Sequence, residues 1–173
     1  TPQVSPAFKI SGANFLSVQV NVDANGNNIL NDAANEPSIA VSPVDPSRMA
    51  IGWRQFDNIQ SNFRQAGFGY STNGGSSWTF PGSIEPGLLR SDPVLACDAQ
   101  GRFYYNSLAV VNGSEFSCDV FRTDQLGSWD EGRYAIGGDK QWMVIDTTNG
   151  PGNGHVYEHW TSFYTACPVE GNF

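Results

Sequence analysis

Short apolar or alternating runs, separated by turn residues, follow one another along most of the chain. Three short runs are each followed by a turn rich in Gly, Pro, Asn or Asp and then by an aromatic-rich run; the pairs are 38–41 with 48–54, 94–97 with 102–110, and 142–145 with 155–161. Short runs joined by Asn-Gly and Gly-Gly turns are typical of antiparallel sheets. No segment indicates a helix. The pattern predicts an all-β protein.

The sequence also contains an internal repeat. Segment 70–78 (YSTNGGSSW) aligns without gaps with segment 121–129 (FRTDQLGSW), at an offset of 51 residues. Each unit has room for four short strands, and four antiparallel strands in roughly 40–50 residues form one blade of a β-propeller. We therefore expect an N-terminal strand and an Asn/Gly-rich linker in 1–34, and a partial propeller in 35–173. The predicted propeller segment has about two and a half blades. Blade 1 covers 35–84, blade 2 covers 91–137, and an incomplete blade 3 begins at 138.

The repeated turn resembles the Asp-box, Ser-x-Asp-x-Gly-x-Thr-Trp, of sialidase-like (BNR-repeat) propellers. The first copy matches it at Ser71, Asn73, Gly75 and Trp78, with Asn in place of Asp. The second copy keeps Asp124 and Trp129 but has Arg and Leu at the Ser and Gly positions. The resemblance implies a secreted or cell-surface sialidase-like propeller, whose remaining blades come from the same or another chain.

The resemblance also indicates where a ligand would bind, because the innermost strands of such propellers begin at the ligand face. It implies that Glu36, Asp92 and Asp139 occupy equivalent positions around a central mouth. Further candidate ligand-binding residues on that side are Trp53, Arg54, Asp57, Arg64 and Lys140. Aromatic faces, guanidinium groups and carboxylates together suit glycan recognition. Alternatively, each acid has a structural role, since Glu-Pro and Asp-Pro also begin strands through turn chemistry.

Three functions are compatible with these residues. The first is a glycan-recognising or glycosidase-derived propeller segment without a complete catalytic site, because the Tyr–Glu nucleophile pair of sialidases would lie in later blades; no catalytic residue is assigned. The second is a structural or adhesive cell-surface module, or a subunit of an extracellular assembly. The third is a different hydrolase on the same scaffold. Fold does not choose between them.

The amino-acid composition limits the classes of partner that the protein can have. The 173 residues include 17 acidic and 9 basic side chains, a net charge of −8, which argues against nucleic acid because phosphate binding needs clustered Lys and Arg. No apolar stretch approaches the roughly 20 residues that span a bilayer. Few Lys residues and an abundance of Asn, Ser, Thr and Gly suit an extracellular protein.

Three cysteines leave at least one thiol without a partner in the chain. In the expected blade layout, Cys118 and Cys167 fall at the loop face of adjacent blades, and we expect them to form a disulfide. Cys97 is expected to be a small buried apolar residue. A partner for Cys167 beyond residue 173 is the alternative.

The linker contains a candidate calcium loop. Asp23, Asn25 and Asn27 follow the i, i+2, i+4 spacing of calcium ligands, and Asp32 or Glu36 would complete the shell. The segment departs from an EF-hand, because its Gly lies two places early and its twelfth position is Ala. The alternative is a polar Asn/Gly turn.

The calcium interpretation predicts a thermal shift. A ligand that binds only the folded state stabilises it, so millimolar Ca²⁺ should raise the melting temperature and EDTA should reverse the rise. Differential scanning fluorimetry on the chain, with Mg²⁺ as the control, measures this. An unchanged melting temperature in both additions would rule calcium out.

Overall fold

The computed structural model describes residues 5–111, 113 and 115–162, and in these residues the fold contains strands and no helix. The all-β prediction is therefore confirmed. The twelve strands are β1 (Lys9–Gly12), β2 (Phe15–Val18), β3 (Ala33–Val41), β4 (Met49–Phe56), β5 (Arg64–Ser71), β6 (Thr79–Ile84), β7 (Arg90–Cys97), β8 (Phe103–Val111), β9 (Glu115–Thr123), β10 (Arg133–Tyr134), β11 (Asp139–Ile145) and β12 (Val156–Thr161).

Two four-stranded antiparallel sheets make up the centre of the structure. The first has the strand order β3-β4-β5-β6 and the second has the order β10-β9-β8-β7, so that each is a simple meander. A third sheet contains β11 and β12, and a separate hairpin pairs β1 with β2. The antiparallel four-stranded sheets agree with the prediction. The described residues form no closed ring of sheets, and the propeller stays a prediction.

The sheets pack face to face through their first strands. β7 lies against β3, β4 and β5 of the first sheet, and β11 lies against the second sheet. The core between the first two sheets includes Phe68, Leu95, Phe103, Tyr105 and Phe121. Side chains alternate along strands, so the opposite face of the second sheet is free to contact the third.

That opposite face forms a smaller core. Val94 and Tyr104 point away from the first sheet and contact Met143 of β11. The amide nitrogen of Asn106 in β8 donates a 2.6 Å hydrogen bond to Glu158 of β12. The second sheet is thus covered on both faces, and its strand β8 is buried along most of its length.

The first Asp-box copy forms a hydrogen-bonded turn between β5 and β6. The Ser71 hydroxyl accepts hydrogen bonds from the backbone of Asn73 and Gly75, at 3.2 and 2.9 Å. The Asn73 side chain accepts from the Ser77 amide at 3.0 Å, and the Trp78 indole donates to the Gly75 carbonyl at 3.1 Å. Gly75 has φ +80°, which a residue with a Cβ rarely adopts.

The second copy is built differently. Thr123 ends β9 and its hydroxyl accepts a hydrogen bond from the Gln125 amide at 2.9 Å. The backbone carbonyl of Asp124 accepts a hydrogen bond from Arg48, which immediately precedes β4 of the first sheet, at 2.7 Å. Trp129 packs edge-on against Phe68 and Tyr105, with centroid distances of 5.8 and 5.5 Å. This turn therefore links the two sheets.

The close approach of the first two sheets generates a prediction at Gly52. A Cβ at this position would overlap the Tyr105 ring and lie 2.6 Å from Leu95 Cδ1. We expect Gly52→Ala to lower the free energy of unfolding by about 1–3 kcal/mol, because overpacking displaces the facing strand. Urea denaturation measures the change.

Gly127→Ala is the matched control, since its nearest contact, the Tyr70 hydroxyl, would lie at an ordinary 3.8 Å. It should alter the free energy of unfolding by no more than about 0.5 kcal/mol. Equal effects of the two substitutions would contradict the packing proposed for Gly52.

Candidate functional site

The first strands of the three sheets share a backbone irregularity near their starts. Glu36 in β3, Asp92 in β7 and Lys140 in β11 have φ values of +52°, +47° and +54°. Each lies at a register shift, where two residues of the first strand face one residue of the second. These are β-bulges with a left-handed first residue, a position that usually carries Gly.

The left-handed conformation is costly for residues with a Cβ, of order 1–3 kcal/mol each. It recurs here at three matching positions, each of which carries a charged residue. Strained residues of this kind cluster at functional sites. The bulges therefore mark the candidate site.

The third position is one residue later than the sequence predicts. Asp139 is paired with Thr161 before the bulge, so that Lys140 is the equivalent of Glu36 and Asp92. The expected equivalence of Asp139 is wrong. Its carboxylate instead adds to the negative field around Lys140 and helps to raise the pKa of that ammonium, after the larger effect of Asp92.

The bulges converge on a cavity of about 220 Å³, which we call the mouth cavity. Each first strand contributes its two bulge residues and the residue that follows. The lining residues are Glu36, Pro37, Ser38, Asp92, Pro93, Val94, Lys140, Gln141 and Trp142.

Ion pairs neutralise most of the charge at the mouth cavity. Arg54 of β4 lies 3.1 Å from Glu36, and the Lys140 ammonium lies 2.9 Å from Asp92. Burial by itself would raise the pKa of Asp92, but hydrogen bonds from Ser91 and Lys140 and the more remote charge of Arg54 outweigh it, so the pKa is lowered. Asp92 is therefore an ionised acceptor at neutral pH.

Gln141 is a buried polar residue of the cavity that the sequence did not reveal. Its side chain is 2% exposed, and its amide nitrogen donates to the backbone carbonyl of Asp92. Its amide oxygen has no hydrogen-bond donor among the described residues. A buried acceptor without a donor is unfavourable by about 1–3 kcal/mol.

The accessible aromatic side chain of the cavity is Trp142, which is 56% exposed. Trp53 was expected in that role, but it is 2% exposed and does not line the mouth cavity. Its indole donates to Gln55 at 2.7 Å and its ring packs at 5.1 Å from Phe80. Trp53 is thus a buried residue of β4, and its role in ligand binding stays a prediction.

Four other candidate ligand-binding residues, Arg54, Asp57, Arg64 and Asp139, do not line the mouth cavity. Asp57 lies in the β4–β5 loop and accepts hydrogen bonds from Ser61 and Gln65, at 3.3 and 3.0 Å. Arg64 begins β5, where it is paired with Phe56. Asp57 in the loop and Arg64 at the start of β5 remain a more distant part of the candidate surface.

The candidate calcium residues already have protein partners. Asp23 accepts backbone hydrogen bonds from Asn25 and Asn27, at 2.9 and 2.8 Å, which lower its pKa. Asp32 accepts from the side chains of Asn21 and Gln55. No group of three or more His, Cys, Asp or Glu placed to hold a metal occurs in the described part of the chain. Calcium stays a prediction.

The disulfide expected between Cys118 and Cys167 stays a prediction. Cys118 is fully buried in β9 beside Gly137 and Gly138, and burial raises the pKa of its thiol to about 12. Its predicted partner, Cys167, lies outside the described residues. Cys97 is a free thiol, half-buried, and burial raises its pKa to about 11. No disulfide forms among the described residues.

A buried arginine supports the strand that carries Asp92. Arg90, at the start of β7, is 5% exposed and pairs with Glu85 and with Asp119, the latter at 2.6 Å. Its guanidinium lies 5.0 Å above the Phe121 ring. Glu85 directly follows β6, and Asp119 lies in β9. The two ion pairs of Arg90 therefore hold the start of β7 in place relative to both segments.

Neither a protein-family model nor a curated protein matches this chain. Its function is therefore inferred from the mouth cavity itself. The described residues include no helix that is long and apolar enough to cross a membrane.

The ion pair at Asp92 generates a pH prediction. Because its pKa is lowered on folding, the stability that its carboxylate contributes is complete above about pH 4 and is lost as the pH falls through the folded value. The advantage of wild type over Asp92→Asn, of about 0.5–1 kcal/mol, should therefore shrink in acid. Asn tolerates the left-handed backbone. Chemical denaturation over a pH series measures this.

The same comparison in a Lys140→Asn background is the control. Without the ammonium, the pKa of Asp92 is less depressed, and the advantage should depend less on pH. An advantage of equal size at neutral and at strongly acidic pH would contradict the role given to the ion pair.

Proposed function

We propose that the chain is a segment of an extracellular, sialidase-like β-propeller that recognises glycans at the mouth cavity. The observation that carries this proposal is the convergence of three matching bulges. They direct Glu36, Asp92 and Lys140 into one cavity beside the exposed ring of Trp142. Small concave sites with a few convergent polar groups are the usual form of ligand sites.

The serial packing of the sheets supports the propeller. Leu95 of β7 and Met143 of β11 occupy matching positions and are buried against the preceding sheet, whereas the matching Ile39 of the first sheet is 52% exposed. Val144 is 55% exposed on the outer face of the third sheet. Further blades, from the same or another chain, would cover Ile39 and Val144 and would lie beside Trp142, which is on the same face of β11 as Val144 and also lines the mouth cavity.

The chemistry of the cavity suits a sugar. The face of an indole ring packs against the apolar face of a pyranose, and Trp142 offers such a face at the edge of the cavity. Carboxylates accept hydrogen bonds from hydroxyl groups, and Lys140 and Arg54 donate them. The lowered pKa of Asp92 makes its carboxylate an acceptor of such hydrogen bonds at neutral pH.

A structural or adhesive module is the second candidate. The observation that favours it is the apolar surface of the N-terminal hairpin, where Phe8, Ile10, Phe15 and Leu16 are each at least 46% exposed. Exposed apolar patches often mark contacts between proteins. In that case the chain would associate with a protein and would not bind sugars.

A glycan array tests the proposal. The chain should bind at least one class of glycan, and Trp142→Ala should reduce binding at least about tenfold, because removing an aromatic anchor costs a few kcal/mol. The matched control is Tyr157→Ala, which removes a similarly exposed ring of the adjacent strand outside the cavity. Absence of binding, with self-association in size-exclusion chromatography, would favour the structural module.

A further inference from the structure

The two cations at the mouth cavity are already paired. Arg54 lies 3.1 Å from Glu36 and also donates a 2.8 Å hydrogen bond to Asn35, so that two of its nitrogens are engaged. Lys140 lies 2.9 Å from Asp92. A carboxylate ligand would therefore compete with protein carboxylates for each cation, and it would leave one of them without its partner.

The field around the cavity opposes anions. Three carboxylates, Glu36, Asp92 and Asp139, surround two cations, and the whole chain has a net charge of −8. Like charges at a binding site disfavour association and lower the rate of encounter. An anionic sugar meets unfavourable charge both in approach and in the cavity.

The size of the cavity limits the ligand. Its volume of about 220 Å³ is below the roughly 300–1,000 Å³ of sites for drug-sized molecules. The cavity can therefore enclose about one sugar ring, placed against Trp142.

From these observations, and resting on the glycan-binding function proposed above, we propose that the mouth cavity selects a neutral pyranose and discriminates against sugars that carry a carboxylate. Glu36 and Asp92 accept hydrogen bonds from its hydroxyl groups, and Lys140 donates to them.

Matched sugars test the selectivity. The probes are the methyl pyranosides of glucose, galactose and mannose, each paired with the uronic acid that differs only in a carboxylate at C6. Saturation-transfer NMR and titration of tryptophan fluorescence measure binding. At least one neutral pyranoside should bind, and its uronic acid should bind at least about tenfold more weakly at low salt.

A variant and its control connect the selectivity to the residues. Asp92→Asn leaves Lys140 without its carboxylate, so the uronic acid should gain affinity relative to the neutral sugar by about threefold or more. Tyr157→Ala should leave both affinities unchanged.

The outcomes separate the two proposals. If uronic or sialic acids bind as tightly as the neutral sugars or more tightly, the selectivity is wrong and glycan binding survives. If no sugar of either kind binds, in the array or in solution, both proposals are wrong. If Asp92→Asn folds, by its circular dichroism spectrum, and keeps the wild-type ratio of affinities, the charge mechanism is wrong.

Discussion

The fit of β7 against the first sheet is the contact on which the mouth cavity depends. Gly52 has no side chain where the Tyr105 ring and Leu95 approach, so the two sheets come close enough for the Leu95 amide to donate a 2.9 Å hydrogen bond to Ser38. That bond aligns β7 with β3 only a few residues from their bulges. Asp92 is thereby placed beside Glu36, and the interior packing determines the arrangement of charges at the surface.

The third sheet repeats this arrangement with different side chains. Met143 takes the place of Leu95, and it packs on Val94 and Tyr104. Gln141 then reaches across to the backbone of Asp92, and Lys140 reaches its carboxylate. Electrostatics and packing support each other here, since the contacts that hold β11 on the second sheet also bring the ammonium to its partner.

The strands and turns of the two complete sheets could be predicted because their signals are local. Apolar runs, aromatic runs and Asx/Gly turns identify them, and the Asn73 turn forms the hydrogen bonds expected of its sequence. The position of Lys140 could not be predicted in this way. A proline follows Glu36 and Asp92, whereas Gln141 follows Lys140, and the shared feature is a backbone conformation that leaves no mark on the sequence.

Burial was the second property that the sequence concealed. The alternation of buried and exposed positions is lost in β4, because consecutive residues of this strand are buried. The sequence pattern therefore does not show that Trp53 is a core residue. Arg90 shows the reverse case. A charged side chain is normally exposed, and only the placement of Glu85 and Asp119 around it explains its burial.

The repeated bulge separates the recognition surface from the scaffold. At each first strand, the left-handed residue contributes a charged side chain to the mouth cavity, while buried residues further along β7 and β11 maintain the packing between sheets. Glu, Asp and Lys already occupy the three positions of one chain, so the backbone accepts side chains of either charge there. Because Asp92 and Lys140 form an ion pair, a change at one bulge also changes the electrostatic environment of its neighbour.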